Sequence, residues 1–242
     1  MTNKKEKKEW HVVSFSGGKD STAMLLGMLD RGMQVDDIIF CDTEMEFDEM
    51  YDHIKQVEDY IGRKITILHF DKSFEYMLFE QEVKSGKYKG QIGLNFPNIR
   101  YRWCTNLKEK AVRKYRKLHK DKKIIMYVGF ASDEPKRVKK DRYPLIDWGM
   151  TEQDALNYCY ERGFTWGGLY EKFNRVSCWC CPLQNLKSAK ALREHFPEKW
   201  NLLKSWEKRL NKGFRLDYNT DELEEKFDCE ARGEKYRRKK NK

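Results

Sequence analysis

Through the first 130 positions, short apolar runs alternate with longer segments whose apolar residues recur every three or four positions. That alternation predicts strand, helix, strand, helix. Trp10–Phe15 reads as the first strand and Ser21–Arg31 as the first helix. Val35–Cys41 gives a second strand. The helix after it spans Glu46–Ile61, with Met50, Ile54, Val57 and Ile61 on one face. Lys64–Phe70 is a third strand, and Ser73 opens a helix with Phe74, Met77, Leu78 and Val83 on its apolar side. Ser85–Tyr101 is glycine-rich and polar, and is expected to be a loop or short lid. Leu107–Leu118 is a strongly basic helix, and Lys123–Gly129 a fourth strand. This order implies an α/β fold, a mostly parallel twisted sheet with helices on both faces.

The pattern then changes. Thr151-Glu152-Gln153-Asp154 carries the spacing of a helix N-cap with an acidic third residue, and Ala155–Glu161 continues that helix. Gly163–Trp179 is aromatic and irregular. Helices resume at Leu186–His195 and Glu198–Lys212, the latter with Trp200, Leu203, Trp206 and Leu210. The last thirty residues are charged and are expected to pack loosely.

Ligands of such sheets bind beyond the carboxyl ends of the strands. Ser16–Ser21, Asp42-Thr43 and Phe130–Asp133 all fall there. The first of these is the most informative. Ser14-Phe15-Ser16-Gly17-Gly18-Lys19-Asp20-Ser21-Thr22 joins a strand to a helix N-terminus. Glycines there let backbone N–H groups converge on an anion, the helix dipole adds positive potential, and Lys19 adds a full charge. The spacing is not that of a Walker A loop, and an ordinary Gly-Gly turn is the plain alternative. Asp20 is the better candidate for Mg²⁺, which prefers carboxylates beside bound phosphates; it equally suits an N-cap. Asp42 could hold Mg²⁺ or orient a nucleotide, or simply form a turn. In the loop after the fourth strand, Arg137 is the expected contact to phosphate or sulfate oxygens, while Lys139 and Lys140 read as solvated charge.

Composition narrows the partners. The 242 residues carry a formal charge of +10, which favours anionic ligands: nucleotides, and with them nucleic acid. No stretch approaches the roughly 18 apolar residues of a membrane span. The charged first residues lack the apolar core of a signal peptide, so a cytoplasmic protein without membrane contact is expected.

Seven cysteines, an odd number in a chain expected to be cytoplasmic, argue against a disulfide scaffold. Cys178-Trp179-Cys180-Cys181 contains a C-x-x-C, and Cys104 stands among Arg100, Arg102 and Lys108. Cys104, Cys178 and Cys181 could hold three irons of a [4Fe–4S] cluster and leave the fourth open. With Cys180 as fourth ligand the set would close a zinc site. Free or redox-active thiols are the third reading. Cys41 and Cys159 lie in apolar settings and read as core.

The loop Ser16–Ser21 resembles the PP-loop of the adenine nucleotide alpha hydrolase-like superfamily. Cys41-Asp42-Thr43, Arg102-Trp103-Cys104-Thr105 with Leu107-Lys108, Gly129 to Arg137, and Tyr143-Pro144-Leu145 through Thr151-Glu152 are similar to segments of its phosphoadenosine phosphosulfate (PAPS) reductase family. The likeness spans roughly residues 10–185. It implies a PP-loop nucleotide-binding domain over 1–150 and a helical region with the cysteine cluster over 151–242. It also implies an enzyme that binds ATP, or PAPS or APS, through Ser14, Ser16, Gly17, Gly18, Lys19, Asp20, Ser21, Thr22, Asp42 and Thr43. Lys19, Asp20, Asp42 and Arg137 are the expected catalytic groups. True sulfonucleotide reductases of the family carry a Glu-Cys-Gly-Leu-His type motif. Here the last cysteine stands in Phe227-Asp228-Cys229-Glu230-Ala231, without that glycine, leucine and histidine. The arrangement is closer to relatives that activate a substrate with ATP for sulfur insertion into tRNA or DNA, with a sulfur-donor protein as partner. A sulfonucleotide reductase using Cys229, and a nucleotide-sensing nucleic-acid-binding module, are the alternatives.

Overall fold

A computed structural model describes residues 7–134 and 141–238. It divides into two compact units, each drawn from two stretches of chain. The first comprises the described residues of Met1–Asp71 and Leu107–Tyr170; the second comprises those of Lys72–Asn106 and Glu171–Lys242. The sequence reading placed a single boundary at residue 150.

The first unit is built on four parallel strands: β1 (Glu9–Ser14), β2 (Asp37–Cys41), β3 (Thr66–Leu68) and β4 (Lys123–Val128), in the order β3-β2-β1-β4. The register sets Ser14 beside Ile39 on one side and beside Val128 on the other. Val12 and Val13, on opposite faces of β1, are both fully buried, as a sheet covered on both sides requires. Val12, Ile39 and Met126 pack with Tyr115 of α4 (Trp103–Leu118) on one face. β3 is shorter than expected, an edge strand whose three residues pair with Ile39–Cys41.

Around the sheet run α1 (Lys19–Asp30), α2 (Asp48–Ile61), the short α5 (Pro144–Asp147) and α6 (Glu152–Tyr160). Nine consecutive or near-consecutive residues of α1, from Lys19 to Met28, are buried, so it is a core helix. Gly62 ends α2 in the left-handed region, φ 64°. At α6 the capping box forms as the spacing predicts: Thr151 accepts from the Asp154 N–H, and Asp154 accepts from the Thr151 N–H.

The second unit holds α3 (Phe74–Phe79), α8 (Leu186–His195), α9 (Pro197–Leu210) and α10 (Thr220–Ala231); the turn-long α7 (Leu169–Lys172) straddles the division. Its core is aromatic: Phe74 against Trp103, and Trp206 against Phe74, Phe79 and Trp179. The Trp103 indole donates to Asn95 O at 2.9 Å, which anchors α4 one turn earlier than its apolar pattern predicts. The final segment is not loose throughout. α10 starts in a capping box from Asn219 and Glu222 and buries Leu223 and Phe227. Among the described residues no helix is long and apolar enough to cross a membrane.

Candidate functional site

Strand β1 ends at Ser14, and the chain bends over Phe15–Gly18 into α1. Gly17 has φ 78°, where a side chain is strained, and a Cβ there would also meet Met50 Sδ at 2.4 Å. Gly18 is the N-cap of α1 and contributes no side-chain cap. A helix start without a cap leaves donors for an anion. A Cβ on Gly18 would face Tyr170 Oη at 3.3 Å and Ser16 Oγ at 3.7 Å, so two hydroxyls lie beside this residue.

The bend is braced from inside. Ser21 Oγ accepts from the Ser16 N–H at 3.1 Å, lies 3.0 Å from Ser16 Oγ, and donates to Gly18 O at 3.0 Å. The first turn of α1 is also pressed against β4. A Cβ on Gly129, just past that strand, would stand 2.8 Å from both Cα and N of Ser21. Only glycine lets the two backbones approach so closely. The strand order changes direction between β1 and β4, and the bend lies at that switch point.

Four residues outside the bend complete the surroundings, and of these only Glu152 stands in a motif named from the sequence. Trp166 Nε1–H donates to Gly17 O at 2.8 Å, and the Lys19 N–H donates to the Tyr170 hydroxyl at 2.8 Å. Lys19 Nζ–H donates to Asp20 Oδ1 at 2.8 Å and to Glu152 Oε2 at 2.7 Å, with only 7% of the lysine side chain exposed. His53, buried on α2, lies with Nε2 3.0 Å from Thr22 Oγ1 and stacks on Trp166 at 4.3 Å. Glu152 had a signal, since the capping box fixes it as the first residue of α6. Trp166 and Tyr170 had none, because they act across 149 and 151 residues of chain.

The electrostatics follow from burial. Asp20 has its carboxyl pushed up first by desolvation, with Glu152 and Glu134 adding to that and Lys19 opposing it. Burial alone drives the His53 imidazole down to about 3, so it is neutral near pH 7. The Cys159 thiol, pushed up to about 12 by burial, donates to Lys19 O at 3.6 Å.

Asp42 and Thr43 follow β2 at the same carboxyl edge. Asp42 Oδ1 accepts from the Tyr51 hydroxyl and the Glu44 N–H, both at 2.8 Å. Thr43 is buried and donates to Glu46 Oε1 at 3.2 Å. Both residues thus shape the turn, with Glu44 at φ 64°. Arg137 lies outside the described residues.

The expected metal set is not assembled. Among the described residues no group of three or more His, Cys, Asp or Glu side chains is placed to hold a metal ion. Cys104 sits in the first turn of α4, and the Cys181 N–H closes a turn onto Cys178 O at 3.1 Å. Cys180 is directed into the core, 1% exposed. Cys104, Cys178 and Cys181 are each half-buried.

Residues 10–184 match the family model of the phosphoadenosine phosphosulfate reductase domain. Two uncharacterized proteins of Methanocaldococcus jannaschii are similar in sequence. MJ0066 is 28% identical over 84% of this chain, and MJ0973 is 26% identical over 87%. The chain spans 43% and 49% of their own lengths, less than half of each. Among solved structures, the PAPS reductase of Candida auris overlaps 72% of this chain and 83% of its own, with a TM-score of 0.45 and 17% identity. The U34-tRNA thiolase NcsA of Methanococcus maripaludis, solved with its [4Fe-4S] cluster, overlaps 84% and 72%, with a TM-score of 0.42 and 14% identity. The FMN adenylyltransferase of Candida glabrata overlaps 69% and 54%, with a TM-score of 0.43 and 12% identity.

Proposed function

From a chain that belongs to the phosphoadenosine phosphosulfate reductase domain family, we propose an enzyme whose bend at Ser16–Ser21 grips the β and γ phosphates of ATP and directs cleavage between the α and β phosphates. The observation that carries this reading is the start of α1. Its N-cap is Gly18, without a side-chain cap, and the Ser16 and Tyr170 hydroxyls lie beside it. Backbone N–H groups and the dipole of α1 supply charge complementarity, and the Lys19 N–H would trade the Tyr170 hydroxyl for a phosphate oxygen.

In this reading an acceptor oxygen attacks the α-phosphorus, pyrophosphate leaves, and an adenylylated acceptor remains. A sulfur nucleophile then displaces AMP. The protein contributes positioning and electrostatics. Lys19 would exchange its carboxylate partners for phosphate oxygens, and Asp20 or Asp42 would hold the Mg²⁺ that accompanies the nucleotide. The net charge of +10 suits a nucleic-acid acceptor.

The test is product identification. Incubated with Mg-ATP and candidate acceptors, the protein should release AMP and pyrophosphate, and Lys19→Ala should remove most of that turnover. Release of ADP, or undiminished pyrophosphate release by Lys19→Ala, would overturn the assignment.

A second reading, sulfonucleotide reduction, rests on Cys229 in α10, whose Sγ lies 3.6 Å from Arg232 Nη2. It requires thiol-dependent sulfite release from PAPS or APS, lost in Cys229→Ser.

A further inference from the structure

Behind the phosphate bend lies a cleft of about 290 Å³ that the proposed chemistry does not use. Glu49, Asp52, His53 and Gln56 line it from α2, with Trp166 and Gly167 opposite. The α2 positions share one helix face, being three, four and seven residues apart. Among the described residues, Glu49 Oε2 and His53 Nδ1 are buried without a hydrogen-bond partner, and His53 is only 2% exposed. Such orphans are uncommon in native proteins and costly, so they call for an occupant.

The hydrogen bonds define what kind of group is missing. Thr22 Oγ1 keeps both of its contacts, Gly17 O at 3.5 Å and His53 Nε2 at 3.0 Å, when the hydroxyl donates to Gly17 O and the ring donates from Nε2; that pair of bonds assigns the tautomer. A neutral imidazole protonated at Nε2 presents a lone pair at Nδ1. Both orphaned atoms are therefore acceptors, one a carboxylate oxygen. Among the described residues no Lys or Arg lines the cleft. The Trp166 ring, stacked on His53 at 4.3 Å, adds an aromatic surface to the wall. Among the described residues no set of ligating side chains is placed for a metal ion.

We propose that this cleft is a binding site for an organic cation bearing N–H donors, an ammonium or a guanidinium group, held by Glu49 and His53 Nδ1 against Trp166. Two N–H bonds satisfy the buried acceptors, the charge offsets that of Glu49, and the indole favours a cation. Trp166 has φ 50°, an unusual value for a tryptophan, and is held there by its bond to Gly17 O. An occupant of the cleft thus touches the residue that braces the phosphate bend.

The group could belong to a free small molecule or to a Lys or Arg side chain of a protein. The test titrates the full chain with methylguanidinium, with methylammonium, and with an arginine-containing peptide. Binding is followed by calorimetry and by the imidazole ¹⁵N shifts of His53. Saturable binding of at least one small cation is expected, with a shift at Nδ1. Glu49→Gln, which keeps the side-chain shape, should bind about tenfold more weakly, as loss of a charge-assisted hydrogen bond implies. Asp52→Asn, at the exposed rim, should lose about threefold or less, as expected of an exposed charge. A peptide that binds at least about tenfold more tightly than methylguanidinium identifies a protein side chain as the source; equal affinity identifies a free cation. Non-saturable titrations, or unchanged affinity in a folded Glu49→Gln, overturn the proposal. The readout is cation binding, so it stands or falls apart from ATP cleavage.

Discussion

The Lys19 ammonium lies 2.7 Å from the Glu152 carboxylate, which binds the bend's only lysine to the first turn of α6. Asp20 holds the same ammonium at 2.8 Å. Two carboxylates on one cation leave the mouth of the bend with excess negative charge, unfavourable to phosphate. Glu152→Gln should therefore lower the KM for ATP several-fold and leave the bend formed. Because Glu152 is 41% exposed, solvent screening keeps the effect modest. Steady-state kinetics check this; a raised KM would mean that the pair is needed to aim Lys19.

Gly129→Ala should cost stability and function together. The added methyl would stand 2.8 Å from Ser21 Cα and N, which are backbone atoms that cannot turn aside. Overpacking of this kind costs about 1–3 kcal/mol. A lowered Tm with weakened ATP binding is expected; an unchanged Tm would show that β4 and α1 can separate freely.

His53 should make the protein acid-sensitive. Its native pKa is depressed to about 3, below the ordinary value of 6.5. Between those values the unfolded chain binds the extra proton, so stability is present above the ordinary histidine pKa and is lost as pH falls toward 3. The slope from this group is at most about 1.4 kcal/mol per pH unit. Denaturation at a series of pH values should show it, and NMR should find the imidazole neutral at pH 5. A charged His53 at pH 6 would contradict the burial seen here.

Thiol labelling should separate the cysteines. Cys159 and Cys180 are buried, whereas Cys41, Cys104, Cys178, Cys181 and Cys229 are partly exposed. Burial also pushes the Cys159 thiol up to about 12, which starves it of thiolate. Brief alkylation of the folded protein, read by mass spectrometry, should spare Cys159 and Cys180 and modify Cys104 and Cys229. Early labelling of Cys159 would show that α6 opens readily from Lys19.

The sheet and the bend were legible because the signals are local. The run Trp10–Phe15 followed by Gly17-Gly18 needs only its neighbours to be a strand, a turn and a helix start. Helix α10 was harder. Its buried Leu223 and Phe227 are set among charges, and only Asn219 with Glu222 marks its start. His53 sits among the apolar positions Met50, Ile54 and Val57, and nothing in that spacing says that its ring turns inward. Trp166 and Tyr170 gain their roles only when the chain closes over about 150 residues. The cysteines are a further case: C-x-x-C spacing by itself is a weak signal, and nothing in it says that Cys180 is buried while Cys178 and Cys181 stay partly exposed.

ATP cleavage as proposed requires phosphate to sit over Gly18. Gly18→Ala tests it most directly, because φ is −74° there and a methyl group is conformationally allowed. The methyl would stand 3.3 Å from the Tyr170 hydroxyl, which must give by a few tenths of an ångström, and 3.7 Å from Ser16 Oγ, in the space above the helix start. Calorimetric titration with Mg-ATP should show a Tm near that of the unaltered protein and affinity reduced at least about tenfold, the equivalent of 1.4 kcal/mol. A folded Gly18→Ala protein that binds Mg-ATP as tightly as the unaltered chain would contradict the account.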